Sequence, residues 1–392
     1  MNVVPLATHS VKALRDTLRG HGWDAEPAEA AASGAEPIAL HLTGLEEQAL
    51  EALVQYAGRL GLDVHTGDDW AVLSGTRWRL GTFARPWTAP PALAEVATRV
   101  GLAIPADPGG PSTWLTARGP VPLHDPMIIG ILNVTPDSFS DGGRYRAVDA
   151  ARTHGDNLVA AGARAIDVGG ESTRPGREAA VAADEELARV LPVIRALVKD
   201  HPDLLISIDT VKAEVARAAL AEGAALINDV TAFRFDPRMA AVAAEGRAGV
   251  VLMHSRGGIT EIASYVHAEY GGDVTAGVLA ELAAAVAGAV AQGVAPEAVV
   301  VDPGLGFSKT PEQSALLCDR LAALRALGRP ILVGPSRKRF VGALAGIDAP
   351  AERDRATAVT CALAWERGAR LFRVHDVAAT REALAVARGI GG

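Results

Sequence analysis

The stretch MIIGILNVTPDSFSDGG, Met127 to Gly143, decides how this chain is read. Met127-Ile128-Ile129-Gly130-Ile131-Leu132 is an unbroken apolar run, which suits a strand buried on both faces of a parallel sheet. So short a run also fits a buried helix segment. Polarity then switches abruptly to Asn133, Thr135, Asp137, Ser138, Ser140 and Asp141, closing on Gly142-Gly143. A buried strand that runs directly into a polar, glycine-punctuated loop is how an α/β enzyme presents chemistry at a strand's C-terminal end. Taken alone, the loop is equally an ordinary turn, because turns are rich in Asp, Ser and Gly. The same pattern recurs down the chain, and the recurrence carries the argument.

Strand-like runs fall at Met127–Val134, Arg164–Gly169, Leu204–Asp209, Ala225–Val230, Gly249–His254, Val299–Asp302, Pro330–Gly334 and Leu371–His375. Amphipathic helical stretches separate them, giving eight βα units in roughly 265 residues, the length of a (β/α)8 barrel. A doubly wound sheet is the competitor, but it would carry an early GxGxxG turn, and none appears. The expectation is an α/β fold: a TIM barrel over residues 127–392, preceded by a small α/β domain over 1–101. In that domain a helix is expected over Ser10–Gly22, strands over Pro37–Leu42, Leu62–Val64 and Trp70–Leu73, and helices over Gly44–Gly61 and Ala92–Val100. It shows no catalytic constellation. His41 and His65 alternate with apolar residues and read as strand-face residues, not ligands. Residues 102–126, rich in Pro and Gly, read as a linker or a wrapping segment.

Composition narrows the class. The 392 residues are 49% hydrophobic, enough for a large core. No apolar run is seen to approach the roughly 18 residues that span a membrane. The N-terminus lacks a charged segment followed by an apolar one, so no signal peptide is expected. Cys318 and Cys361 form no metal spacing, which favours a reduced, cytoplasmic protein. The formal net charge of −8 argues against a nucleic-acid or anionic-membrane partner, so an anionic substrate needs a local basic cluster.

Such a cluster is written into the strand ends. The second run ends in Asp167 and continues Gly169-Gly170-Glu171-Ser172-Thr173-Arg174-Pro175-Gly176. Later runs end in Asp209-Thr210, Asn228-Asp229, Met253-His254-Ser255-Arg256, Asp302-Pro303-Gly304-Leu305-Gly306-Phe307, Ser336-Arg337-Lys338-Arg339 and Arg373-Val374-His375-Asp376. A lone Asp at a strand end is usually a helix cap. Seven ends bearing both acids and bases exceed what capping needs, and a barrel gathers them at one mouth. Asp209, Asn228, Asp302 and Lys338 offer the donors and acceptors that suit a flat, nitrogen-rich heterocycle. Arg174, Arg337, Arg373 and His375 suit phosphate, with Asn133 and Mg²⁺ able to complete a pyrophosphate site. Phe139, Phe307 and Pro175 offer apolar walls.

The strings NVTPDSFSDGG, IDVGGESTRPG, SIDT, INDV, LMH, DPGLGF, SRK and RVHDV, in this order, closely resemble the dihydropteroate synthase family of bacterial folate synthesis. The resemblance implies condensation of 7,8-dihydropterin-6-ylmethyl diphosphate with 4-aminobenzoate, giving 7,8-dihydropteroate and pyrophosphate. Matched motif by motif, it implies a pterin pocket at Asp167, Asp209, Asn228, Met253, Asp302 and Lys338. It implies a diphosphate and Mg²⁺ site at Asn133, Thr173, Arg174, Arg373 and His375. The aminobenzoate pocket falls on Phe139, Arg174, Pro175, Phe307, Lys338 and Arg339, with Asp141 on the first loop. A homodimer and inhibition by sulfonamides are further implications.

Three departures from the common pattern stand out. Arg339 follows SRK where Ser is frequent, and it either binds the aminobenzoate carboxylate or leaves that to a backbone N–H. Leu305 and Ser308 replace common Phe and Gly, and the loop after LMH reads SRGGITEIA. Two other readings remain at this point: a barrel that binds pterin without turnover, and a pterin-to-corrinoid methyltransferase.

Overall fold

The computed structural model describes residues 14–15, 18–19, 24–35, 37–85, 89–104, 111–135, 143–171 and 181–391. Most of the helix expected over Ser10–Gly22 lies outside them, as do Phe139, Asp141, Thr173, Arg174 and Pro175. The chain divides into two compact units, residues 1–110 with 390–392, and residues 111–389.

In the first unit, β1 (Pro37–Thr43), β2 (Asp63–Thr66) and β3 (Trp70–Thr76) form an antiparallel sheet in the order β1-β3-β2. Leu50, Leu53 and Ala57 line one face of the helix Glu47–Arg59, the i, i+3, i+7 spacing of an amphipathic helix, and pack with Leu73, Leu80 and Phe83. The helices Ala25–Gly34 and Arg77–Phe83 are additions to the sequence expectation. The second begins where β3 ends, because the Thr76 hydroxyl accepts from the Arg79 N–H and caps it. His41 is exposed on its strand and meets the Trp70 ring edge-on at 5.8 Å.

Of the two readings of residues 102–126, a linker or a wrapping segment, the second half follows the latter. β4 (Thr113–Thr116) and β5 (Gly119–Pro122) pair as a hairpin within the second unit. Trp114 is fully buried against Met127, Ile129, Leu205, Val300 and Leu371, at or near the starts of barrel strands. Its indole N–H donates to the Ala298 carbonyl at 2.7 Å. The hairpin thus plugs the end of the barrel opposite the strand C-termini. Its many prolines masked two four-residue strands.

The barrel itself follows the expectation. Strands β6 (Met127–Asn133), β7 (Ala165–Gly169), β8 (Leu205–Asp209), β9 (Leu226–Asp229), β10 (Gly249–Met253), β11 (Val299–Asp302), β12 (Ile331–Val333) and β13 (Ala369–Val374) close into a parallel ring, β13 pairing with β6. Ile128, Leu132, Ile166, Val168, Ile206 and Ile208 alternate with inward residues and pack beneath the helices. One helix corrects the sequence reading. Val274–Ala291 is long and apolar enough, by length and composition, to cross a membrane, the one such helix among the described residues. Ala, Val and Gly dominate it, with Glu281 its single charge. Val278, Leu282, Val286 and Ala289 on it are buried in the barrel's main core, as a core helix requires.

Candidate active site

Strand register assembles the site. Asn133, Gly169, Asp209 and Asn228 lie in one row across β6 to β9, and Met253 pairs with Asp302 across β10 and β11. Asp167 stands two residues before Gly169, so it faces the same side of β7. Gly169 leaves space that its neighbours use. A Cβ there would stand 3.6 Å from Asp209 Oδ2 and 3.7 Å from Asn133 Oδ1.

Arg373, from β13, closes the ring of charges. Its Nε donates to Asp167 Oδ2 and its Nη2 to Asp209 Oδ2, both at 2.6 Å. Asn228 Nδ2 donates to the same Asp167 oxygen at 2.9 Å. Asp167 Oδ1 is buried and has no hydrogen-bond partner, an acceptor turned to an unmet donor. Asp302 Oδ1 accepts the Gly304 N–H at 2.7 Å. A Cβ at Gly334 would lie 3.8 Å from Arg373 Cβ and 3.9 Å from Asp302 Oδ2, which ties the Asp302 side of the mouth to the Arg373 side. Lys338 Nζ donates to the Leu305 carbonyl at 2.6 Å and rests 4.1 Å from the centre of the Phe307 ring. Met253 shares an apolar cluster with Val211, Val230 and Ile262, against which Phe307 packs.

Burial sets the protonation of these groups. It pushes Asp209 up to about 7, against the lowering pull of Arg373 and with the help of the Asp167 charge. Asp302 is also raised by burial, opposed by Lys338 and the Gly304 N–H. Burial lowers Lys338 to about 8. Asp209 and Lys338 therefore titrate unusually near neutrality, and Asp302 is shifted in the same direction as Asp209, as functional sites often are.

Several basic residues sit elsewhere than the charge pattern suggests. Arg373 pairs with the acids of the proposed ring pocket. Arg337 faces Asp354, with Nε–Oδ1 at 2.8 Å and Nη2–Oδ2 at 2.7 Å, so the structure removes it from the phosphate set. Arg339 donates from Nη2 to the Ala263 carbonyl at 2.5 Å and stacks 4.4 Å from the Tyr265 ring centre. Ser336 Oγ holds the His375 ring at Nδ1, 2.8 Å away, and accepts the His375 N–H. Asn133 presents the kind of hard oxygen that Mg²⁺ takes, beside the Asp209 carboxylate. The described residues hold no group of three or more His, Cys, Asp or Glu able to bind a metal.

Lys309 belongs to this region without having been singled out from the sequence, and Gly304, read there only as part of the sixth strand end, has a backbone role. Gly304 has φ +65°, and a Cβ there would meet the His254 carbonyl oxygen at 1.9 Å. Only glycine lets the turns after β10 and β11 come so close.

Acids, an amide and a lysine at the strand ends of a (β/α)8 barrel define an enzyme that takes a flat, hydrogen-bonding ring. The chain belongs to the pterin binding enzyme family, whose model matches residues 129–375. It is 50% identical over 267 residues to the dihydropteroate synthase of Mycobacterium leprae, covering 66% of this chain and 92% of that one. The structure of Xanthomonas albilineans dihydropteroate synthase with 4-aminobenzoic acid matches with a TM-score of 0.66 at 43% identity, covering 71% of this chain and 98% of that one. The same enzyme in complex with 7,8-dihydropteroate matches with a TM-score of 0.62 at 42% identity, covering 69% and 95%.

Proposed function

We propose that this chain is a dihydropteroate synthase, joining 7,8-dihydropterin-6-ylmethyl diphosphate to 4-aminobenzoate with release of pyrophosphate. The observation that carries the reading is the buried Asp167–Arg373–Asp209 array with Asn228 beside it, facing Asp302 across the mouth. The pterin ring's N–H groups find Asp167 Oδ1, Asp209 and Asp302 as acceptors, and Asn228 and Lys338 complete the pattern. The breaking bond joins the ring's methylene carbon to the diphosphate oxygen. The amine nitrogen forms the new bond to that carbon and loses a proton.

The aromatic amine is a weak nucleophile, so the site gains by favouring departure first. Asp209 and Asp302, as carboxylates, stabilise positive charge growing on the ring. Arg373 offsets part of the repulsion between Asp167 and Asp209 and so keeps them close together. Ser336 orients the His375 ring toward its diphosphate role, shared with Arg174 and Thr173 on the second loop. Asn133 would hold Mg²⁺, which supplies charge to the departing pyrophosphate. Phe307 walls the amine side, and the family resemblance assigns Phe139 and Pro175 to the same pocket and Asp141 to the first loop. The Arg339 contacts with Ala263 and Tyr265 favour the alternative in which a backbone N–H meets the aminobenzoate carboxylate.

A cytoplasmic homodimer completes the reading. Leu344, Val359, Leu363 and Val386, on the helices that precede and follow β13, are all at least half exposed, an apolar face that a second copy would cover. The test is purified chain with both substrates and Mg²⁺. Equal amounts of dihydropteroate and pyrophosphate are expected. Pterin binding without either product would favour a binding barrel instead.

A further inference from the structure

The turn after β11 is strained. Gly304, Gly306 and Ser308 all have left-handed φ, at +65°, +77° and +48°. Ser308 carries a side chain into that region, a conformation unfavourable for an L-residue. Its Oγ offsets part of this by accepting the Arg256 N–H at 2.9 Å and donating its one proton toward the Arg256 carbonyl at 2.8 Å, with the Ile262 carbonyl at 3.2 Å as the alternative acceptor. Such a conformation persists only where its surroundings over-determine it.

The chief restraint is Lys309, fully buried directly behind the turn. Its Nζ reaches the Gly304 carbonyl at 3.2 Å, the Phe307 carbonyl at 3.0 Å and His254 Nδ1 at 2.8 Å. The His254 carbonyl lies at the limit of reach, 3.5 Å away, so the group is ringed by acceptors, although burial lowers its pKa. Nδ1 is then the imidazole acceptor, and Nε2–H donates to Glu281 Oε2 at 3.0 Å. Burial lowers His254 to about 4, consistent with that neutral ring. Glu281, on the outer helix Val274–Ala291, also takes Arg256 Nε at 2.9 Å. A chain of contacts thus runs from a half-exposed carboxylate to the backbone of one turn at the mouth.

That turn touches both halves of the site, but unequally. Asp302 has its backbone placed by the pairing of β11 and its carboxylate steadied by the Gly304 N–H, whereas Phe307 lies on the turn itself. Leu305 and Phe307 belong to the turn: one carbonyl receives Lys338, and one ring supports it. We propose that Lys309, held by His254 and Glu281, is a positioning residue for the second substrate, setting the Phe307 ring against which the aromatic amine lies. The proposal rests on the synthase reading.

The test compares Lys309→Met, Glu281→Ala and Glu281→Gln in the full chain. It reads the KM for 4-aminobenzoate, the Kd for the pterin diphosphate without amine, and the melting temperature. Lys309→Met raises the amine KM at least about tenfold, and by a clearly larger factor than the pterin Kd, because burial of the carbonyls without a donor disturbs the turn first. Glu281→Ala, remote from substrate and tolerant in folding, raises the amine KM several-fold. Glu281→Gln restores it, since an amide oxygen still accepts from His254 Nε2–H. Equal shifts in both constants, or no shift in Glu281→Ala, overturn the positioning role. Wild-type chain assayed alongside separates the two failures. Absent wild-type turnover removes the synthase reading and this proposal with it. Normal wild-type turnover with unselective variants removes this proposal alone.

Discussion

Replacing Asp209 by Asn separates binding from folding at the centre of the site. In the wild type Asp209 Oδ2 accepts from Arg373 Nη2 at 2.6 Å. An Asn oxygen still accepts that bond, and Arg373 keeps Asp167 at 2.6 Å through Nε. The substitution also removes one of several crowded buried acids, whose charges help raise the Asp209 pKa. Stability should therefore change by about 1 kcal/mol or less. The ring pays more. A carboxylate that accepts from ring N–H groups becomes an amide whose NH₂ opposes one of them. A hydrogen bond to a charged group contributes about 1.5–3 kcal/mol, so pterin affinity should fall about 10- to 150-fold. Calorimetric titration above the Asp209 pKa of about 7, paired with a thermal melt, reads both effects. Affinity within about threefold of wild type would refute the ring contact. A loss of several kcal/mol in stability with unchanged affinity would make Asp209 a structural partner of Arg373 and nothing more.

The pH dependence of kcat/KM for the pterin substrate should be bell-shaped. Asp209 accepts fully only above about 7, and Lys338 loses its charge above about 8. In Asp209→Asn the acidic limb should vanish; an unaltered profile would assign it elsewhere. Trp114→Ala should cost about 3–5 kcal/mol in denaturant unfolding while sparing turnover in the cold, because the indole fills the closed end of the barrel. By the same reasoning a chain starting at Pro111 should fold and turn over, and one starting at Met127 should not; equal behaviour of the two would deny the hairpin its structural place. Arg339→Ser should change the aminobenzoate KM by less than about threefold, since the guanidinium engages Ala263 and Tyr265. A rise of about thirtyfold would mean that the guanidinium turns to the substrate carboxylate.

The eight strands were legible because each is an apolar run that ends in a polarity switch, and that signal survives without tertiary information. The residues at those switches were legible for the same reason: Asn133, Asp209, Asn228 and Asp302 all sit at strand ends. Their partners were not. Arg373 meets Asp167 and Asp209 because β13 closes onto β6, a pairing that no local pattern encodes. Arg337, adjacent to Lys338, reads as another phosphate base until its left-handed backbone and Asp354 claim it. The hairpin around Trp114 was hidden by its prolines, and its alternating Thr-Trp-Leu-Thr was too short to outweigh them. Ser308 is the instructive case. The common Gly at that position reports a left-handed backbone, which a single sequence cannot display, and the cost of departing from Gly becomes visible only in the turn that Lys309 holds.

The most direct measurement is the structure of this chain with 7,8-dihydropteroate bound. The account predicts the pterin ring against Asp167, Asp209, Asn228, Asp302 and Lys338, with the benzoate arm passing Phe307 toward the start of the helix Arg339–Ala345. Product seated away from those five side chains, or reversed so that its benzoate meets Asp209, would contradict it.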